Sequence, residues 1–219
     1  MTMGQTDSDQ KTAFAHWCSD TPALDDFGFK GWQTAIPIFL TRYWSGDSAP
    51  AERYAEARVM WSAKGLHVLF ACRQEENLVV SDTPQTTVKT IGLWDRDVCE
   101  IFVAPDAAAP EKYFEFEAAP TGEWLDVEIT LVDKERLSNW EFHSGLKVAA
   151  KVEASRLLIG MFLPWSSQLR MPRKDDQWRA NFFRCIGSEE NRGYLAWQPT
   201  YTPEPSFHVP AAFGWLRFI

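Results

Sequence analysis

The chain has 219 residues and a formal net charge of −8, which is long enough to bury one substantial core and too acidic to offer the basic face that duplex nucleic acid or an anionic membrane needs. Eleven tryptophans and fifteen phenylalanines exceed what such a core requires, so some rings are expected at the surface as stacking platforms.

Residues 1–12 read as a disordered polar tail and residues 13–219 as a single β domain. Phe14 to Trp17 predicts a short first strand, and Phe29 to Leu40 a segment that Pro37 demotes to an edge or a bend. Tyr43 to Pro50 is loop chemistry. Ala57–Trp61 and Leu66–Arg73, joined by Ser62-Ala63-Lys64-Gly65, predict a hairpin in which Leu66, Val68, Phe70 and Cys72 alternate with His67, Leu69, Ala71 and Arg73. On that pattern His67 is a surface strand residue. Gln74 to Ile91 is a long polar connection of the kind that carries ligands.

That connection leads into Leu93-Trp94-Asp95-Arg96-Asp97-Val98-Cys99-Glu100-Ile101-Phe102-Val103, an aromatic and acidic loop feeding a strongly β-forming strand. Next comes Lys112–Ala118, where Tyr113, Glu115 and Glu117 share one sheet face and Phe114 and Phe116 the other. Glu123–Val132 alternates in the same way. Leu146–Glu153 pairs with Leu157–Leu163 as a hairpin, and Pro164 to Leu169 suggests one helical turn. Trp178–Gly187, Tyr194–Trp197 and Phe213–Phe218 are the last strands. Strand-like runs separated by turn signals, with no sustained helical period, predict an all-β chain: an antiparallel β-sandwich, jelly-roll-like, in one domain.

The four cysteines, Cys18, Cys72, Cys99 and Cys185, lack C-x-x-C spacing and read as reduced, with Cys72 and Cys99 as small buried hydrophobes. No window reaches the length of an apolar membrane span, and Met1 to Lys11 has no apolar leader core. The chain as written is therefore expected in the cytoplasm, and in a secreted or periplasmic setting only if its start is mis-assigned or a leader has been removed.

The segments Ala57–Trp61 through Leu66–Phe70, Trp94–Val103, Ile159–Trp165, Trp178–Arg184, Leu195–Trp197, Phe207–Pro210 and Phe213–Phe218 together resemble the family 9 carbohydrate-binding modules. The most specific blocks are Trp94-x-x-Asp97-x-x-Glu100-Ile101-Phe102 and Phe213-Gly214-x-Leu216. The resemblance implies a β-sandwich that binds a mono- or oligosaccharide between two rings without catalysis, with structural calcium in some members. Carried over by position, it implies Trp94 as one stacking ring, Glu100 as the sugar-binding carboxylate and Phe207 in place of a second tryptophan. Glu115 falls where the family has an arginine, so an acceptor replaces a donor.

A sugar presents an apolar ring face to stack and equatorial hydroxyls that need acceptors and donors. Glu100 is expected to accept, Arg184 to donate if it faces the same side, and His208, beside Phe207, to hydrogen-bond at the rim. Phe183 is the alternative to Arg184, because the register there is open by one residue. Three other readings compete: glycoside hydrolysis by a carboxylate pair such as Glu100 and Glu115, haem ligation on a Met and His pair, and an interaction module. Calcium is implied by resemblance alone, with no ligand set assigned.

Overall fold

The computed structural model describes residues 11–133 and 135–219, so most of the expected tail lies outside the described residues. Thr12, assigned to that tail, already belongs to the first strand. In chain order the strands are β1 (Thr12–Trp17), β2 (Ile38–Leu40), β3 (Arg42–Tyr43), β4 (Ala55–Trp61), β5 (Gly65–Arg73), β6 (Val98–Ala104), β7 (Lys112–Ala118), β8 (Trp124–Val132), β9 (Glu135–Asn139), β10 (Lys147–Glu153), β11 (Arg156–Pro164), β12 (Gln177–Ile186), β13 (Gly193–Ala196) and β14 (Gly214–Phe218). The one α-helix among the described residues, α1 (Gly31–Thr34), is a single turn. Residues 165–169 are irregular, with a bend at 167–169, rather than the helical turn expected there.

Hydrogen bonding joins these strands into one sheet, whose main order is β10-β11-β5-β4-β1-β14-β12-β6-β7-β8-β9. The sheet folds back on itself. Cys72 on β5 touches Cys99 on β6, Sγ to Sγ 3.5 Å, and Phe70 on β5 meets Phe182 on β12 edge-on at 6.2 Å. Neither pair of strands is adjacent in the sheet order, so the contacts cross the interior between two facing halves. Val68, Phe70, Cys99, Ile101, Phe114, Phe116, Ile159 and Phe182 fill that interior.

The pairing is antiparallel with one correction. β1 runs parallel to both neighbours, with Ala15 opposite Val59 on β4 and Ala13 opposite Leu216 on β14. No hairpin ties β1 to either neighbour, so nothing in its connections imposes an antiparallel direction.

A second correction concerns the outer face of the β4–β5 hairpin. Trp32, Ala35, Met60, Leu69 and Cys18 form their own buried cluster there, with Phe27 and Phe29 packed against it. The 18–35 segment thus covers a face that strand alternation alone would leave to solvent. His67 is buried rather than exposed: its Nε2 lies 3.1 Å from Ser62 Oγ and its ring packs against Phe162.

Candidate functional site

Strand alternation sends Val98, Glu100 and Phe102 of β6 to the side away from the main interior, while Cys99, Ile101 and Val103 enter it. Register then decides what stands beside Glu100. Opposite it are Glu117 on β7 and Phe183 on β12, and opposite Phe102 is Glu115. Directly opposed residues of an antiparallel pair share a face, so Glu100, Glu115 and Glu117 converge on one patch. Each contributes a carboxylate oxygen to a group lying within 4.8 Å of one another. Around them Phe102, Tyr113, Val127, Phe183 and Cys185 make a second apolar cluster.

Burial leaves these three acids only 1%, 5% and 0% exposed, in chain order. A carboxylate pays a large desolvation cost in such a place, and like charges at this spacing raise the cost further. Burial, then the charge of Glu115, pushes Glu100 up to about 8. Burial pushes Glu115 up to about 7. For Glu117 burial and the two neighbouring carboxylates hold the group well above the usual carboxylate range. Glu100 Oε1 accepts from the Cys185 thiol at 3.4 Å, and Glu117 and Glu115 share a carboxyl–carboxylate hydrogen bond.

Trp94 stands at the edge of this patch, half-buried, in a short 3₁₀ turn (Leu93–Asp95) preceded by Gly92 at φ 84°. A glycine suits that left-handed position because a Cβ would be strained there. Arg192 fastens the turn by donating to the carbonyls of Trp94 (2.5 Å), Arg96 (2.7 Å) and Gly187 (2.6 Å). Asp97 Oδ1 accepts from Gly187 N at 2.8 Å, tying the same turn to the end of β12. The ring neighbour of Trp94 is Trp140, with centroids 6.4 Å apart and planes inclined by 32°.

Two connections are pinned to the adjoining strand. Lys89 Nζ, from the long polar connection, lies 2.6 Å from Asp126 Oδ1 on β8. Asp126 Oδ2 in turn accepts from Ser144 N and Oγ, both at 2.7 Å. The bridge between Arg96 and Glu123, at 2.9 Å, fixes the other side of the same connection.

Three of the sequence-predicted residues are placed elsewhere or differently. Phe207 is buried at 8% exposure and lies flat on Phe183, centroids 3.9 Å apart and planes within 10°, so one of its faces is taken by the protein. Arg184 is on the opposite side of β12 from Glu100. Its guanidinium donates to Arg53 O (2.8 Å) and Gln74 Oε1 (2.5 Å) in the interior. The physical reason is the two-residue period of a strand: Phe183 and Cys185 face the glutamates, so Arg184 cannot.

His208 is near the patch but engaged at both nitrogens. Nδ1 lies 2.9 Å from Tyr113 Oη, and Nε2 receives the Arg136 guanidinium. Arginine can only donate, so Nε2 is the acceptor, and the proton placed from these partners is on Nδ1. Burial, then Arg136, lowers His208 to about 3, and the ring is a fixed neutral wall rather than a free rim donor. The structure therefore brings together Trp94, Glu100 and Glu115, sets His208 beside them, and adds Glu117 and Trp140. Glu117 was visible in the acidic row of β7. Trp140 carried a weaker signal: with Phe142 it alternates against Glu141 and His143 over too few residues to say which face it joins.

A family model described as "Carbohydrate family 9 binding domain-like" matches residues 28–219. A protein of Arthroderma benhamiae named as an extracellular protein is 22% identical over 174 residues, covering 74% of this chain and 77% of that one. Among solved structures, a candidate carbohydrate-binding protein from Bacteroides uniformis superposes with a TM-score of 0.74 at 17% identity, over 95% of this chain and 99% of the other. A family 9 carbohydrate-binding module from Caldicellulosiruptor kristjanssonii, solved with glucose, gives 0.67 at 12% identity over 95% and 96% of the two chains. Its complex with cellotriose gives 0.67 at 12% identity over 95% and 93%. At such identities the structural likeness is one of fold.

Proposed function

Because the chain belongs to the Carbohydrate family 9 binding domain-like family, we propose that it binds a mono- or oligosaccharide without catalysis, at the edge of the β6–β7 face. The observation that carries the reading is the ring pair Trp94 and Trp140 standing over the face on which Glu100 lies. Indole faces supply the stacking surface a pyranose needs. Glu100 is the polar anchor the resemblance implies, reached from the sheet floor. The second platform is Trp140 rather than Phe207, whose ring is already stacked on Phe183.

The related modules solved with glucose and with cellotriose make β-glucans the first ligands to try. Titration of the full chain with glucose, cellotriose, and xylan, chitin and galactan fragments, followed by tryptophan fluorescence and calorimetry, tests the reading. Trp94→Ala is expected to weaken binding by at least about tenfold, corresponding to roughly 1.4 kcal/mol, with Phe207→Leu affecting it less than Trp140→Ala. Absence of a response to every fragment sinks the sugar reading. Where the protein acts is a separate matter: the relative's printed name favours an extracellular setting, the four free and buried cysteines fit a reducing one, and fractionation of the native cells separates the two.

A further inference from the structure

The four cysteines differ in what their sulfurs meet. Cys18 Sγ donates to Trp61 O at 3.4 Å and Cys185 Sγ to Glu100 Oε1 at 3.4 Å, so each is spent on an oxygen. Cys72 and Cys99 have each other, Sγ to Sγ at 3.5 Å. They come from β5 and β6, strands that are not neighbours in the sheet order, and their contact spans the interior between the two facing halves. Packing alone asks only that both residues be small and apolar. It does not ask that sulfur meet sulfur.

The surroundings let the pair close. Cys72 stands opposite Ala55 on β4 and Leu157 on β11, and Cys99 opposite Ala118 on β7 and Arg184 on β12. Each backbone is thus held between two strands. An alanine is one cross-strand neighbour of each cysteine on the interior side, so neither sulfur is hemmed in there by a large side chain. From the observed contact, a disulfide of about 2.0 Å needs the sulfurs to approach by roughly 1.5 Å, a distance supplied by rotation about the two Cα–Cβ bonds with a small approach of the sheet halves. We propose that Cys72 and Cys99 are a disulfide-forming pair that links the two halves of the sandwich when the chain folds in an oxidising medium, while Cys18 and Cys185 stay as thiols. The bond would close residues 73–98, with the Trp94 turn among them, into a covalent loop. The inference does not rest on the carbohydrate reading.

Both sulfurs are buried, at 1% and 0% exposure, so the exchange belongs to folding, before the halves close. One cysteine, as thiolate, attacks a sulfur of a small-molecule disulfide such as oxidised glutathione. That bond breaks, and one glutathione leaves and takes up the proton the cysteine gave up. The second cysteine, as thiolate, then attacks the first cysteine's sulfur in the mixed disulfide and expels the other glutathione, which takes up the second proton. Two cysteine thiols are oxidised to one disulfide, and one glutathione disulfide is reduced to two thiols.

The full chain, unfolded in reductant, is refolded in a mixture of reduced and oxidised glutathione, with a sample refolded in reductant alone beside it. Free thiols are then blocked, and the unreduced digest is mapped by mass spectrometry. The oxidised chain should keep two of its four thiols and give one linked peptide pair, Cys72 with Cys99. Its melting temperature should stand roughly 5–15 °C above that of the reduced chain, as closing a loop of this length in a domain of this size requires. Cys99→Ala should fold and show no rise with oxidant. If that variant fails to fold, the peptide map and melting temperature of the parent decide. Four free thiols after oxidative refolding overturn the proposal. So does a link through Cys18 or Cys185, and so does a Cys72–Cys99 link in a chain that melts no higher than the reduced one.

Discussion

The two sides of the β12–β6 pair carry buried charge in opposite ways. Toward the interior, Arg184 is 1% exposed and its guanidinium is spent on Arg53 O and Gln74 Oε1. Away from the interior, Glu100, Glu115 and Glu117 are buried to a similar degree, and all three are pushed above the ordinary carboxylate range, with Glu115 and Glu117 sharing a hydrogen bond. A buried charge held by fitted acceptors organises a fold, because removing it leaves those acceptors empty. A buried acid escapes the desolvation cost by keeping its proton, and only while the pH lets it stay neutral. One side of the strand pair is thus a clasp and the other a socket, and substitutions should move stability in opposite directions on the two.

The largest effect is expected on the clasp. Arg184→Met strands Gln74 Oε1 and the Arg53 carbonyl in the interior, and should lower the unfolding free energy by about 3–5 kcal/mol in a denaturant titration. A loss below about 1 kcal/mol would mean that the guanidinium is no clasp and that the contrast fails.

The next effect belongs to the socket and runs the other way with pH. Glu100 and Glu115 are pushed up to about 8 and about 7 from the ordinary value near 4.5, so the folded chain holds protons that the unfolded chain has released. Their contribution is fully present below about pH 4.5 and is lost as pH rises through about 7 to 8, with roughly 1.4 kcal/mol at stake for each tenfold difference in proton affinity between the folded and unfolded chain. In chelator the parent should lose stability between pH 5 and 8. The double variant Glu115→Gln with Glu117→Gln should flatten that slope and be the more stable protein at pH 8. A parent whose stability does not fall over this range would break the comparison from its other side.

Legibility in the sequence followed how locally each feature is determined. The hairpin β4–β5 and the acidic row of β7 were readable because alternation within one strand sets which side chains share a face. The interior contact of Cys72 with Cys99 was readable only as two buried residues, since their meeting depends on how the sheet halves close. Arg184 shows the sharper limit. Its face hinges on a register known to within one residue, and a one-residue slip inverts the answer. Phe207 shows a related limit: whether a ring stays available is decided by what else covers it, and Phe183, on which Phe207 is stacked, comes from a distant strand. His67 looked superficial because the residues that bury it, Ser62 and Phe162, come from a turn and a separate strand that alternation within β5 does not reveal.

The smallest expected effect compares two histidines, one roofing each region. His67 packs against Phe162 and Ser62, and burial lowers it to about 4. His208 borders the glutamate face, and burial with Arg136 lowers it to about 3. Both are depressed below the ordinary value of 6.5. The unfolded chain therefore takes up protons first, and the neutral rings contribute stability that is complete above about pH 6.5 and lost as pH falls through about 4 and then about 3. Between pH 5.5 and 8 neither imidazole should titrate, so proton–nitrogen correlation spectra should show both ring signals fixed in position. Arg136→Ala separates the pair. Removing that guanidinium takes away a positive neighbour and the donor to Nε2, so His208 alone should titrate at higher pH, with His67 unmoved. A shift of both, or of neither, would show that a common burial and not the Arg136 contact sets His208, and that the wall of the glutamate face is held by packing alone.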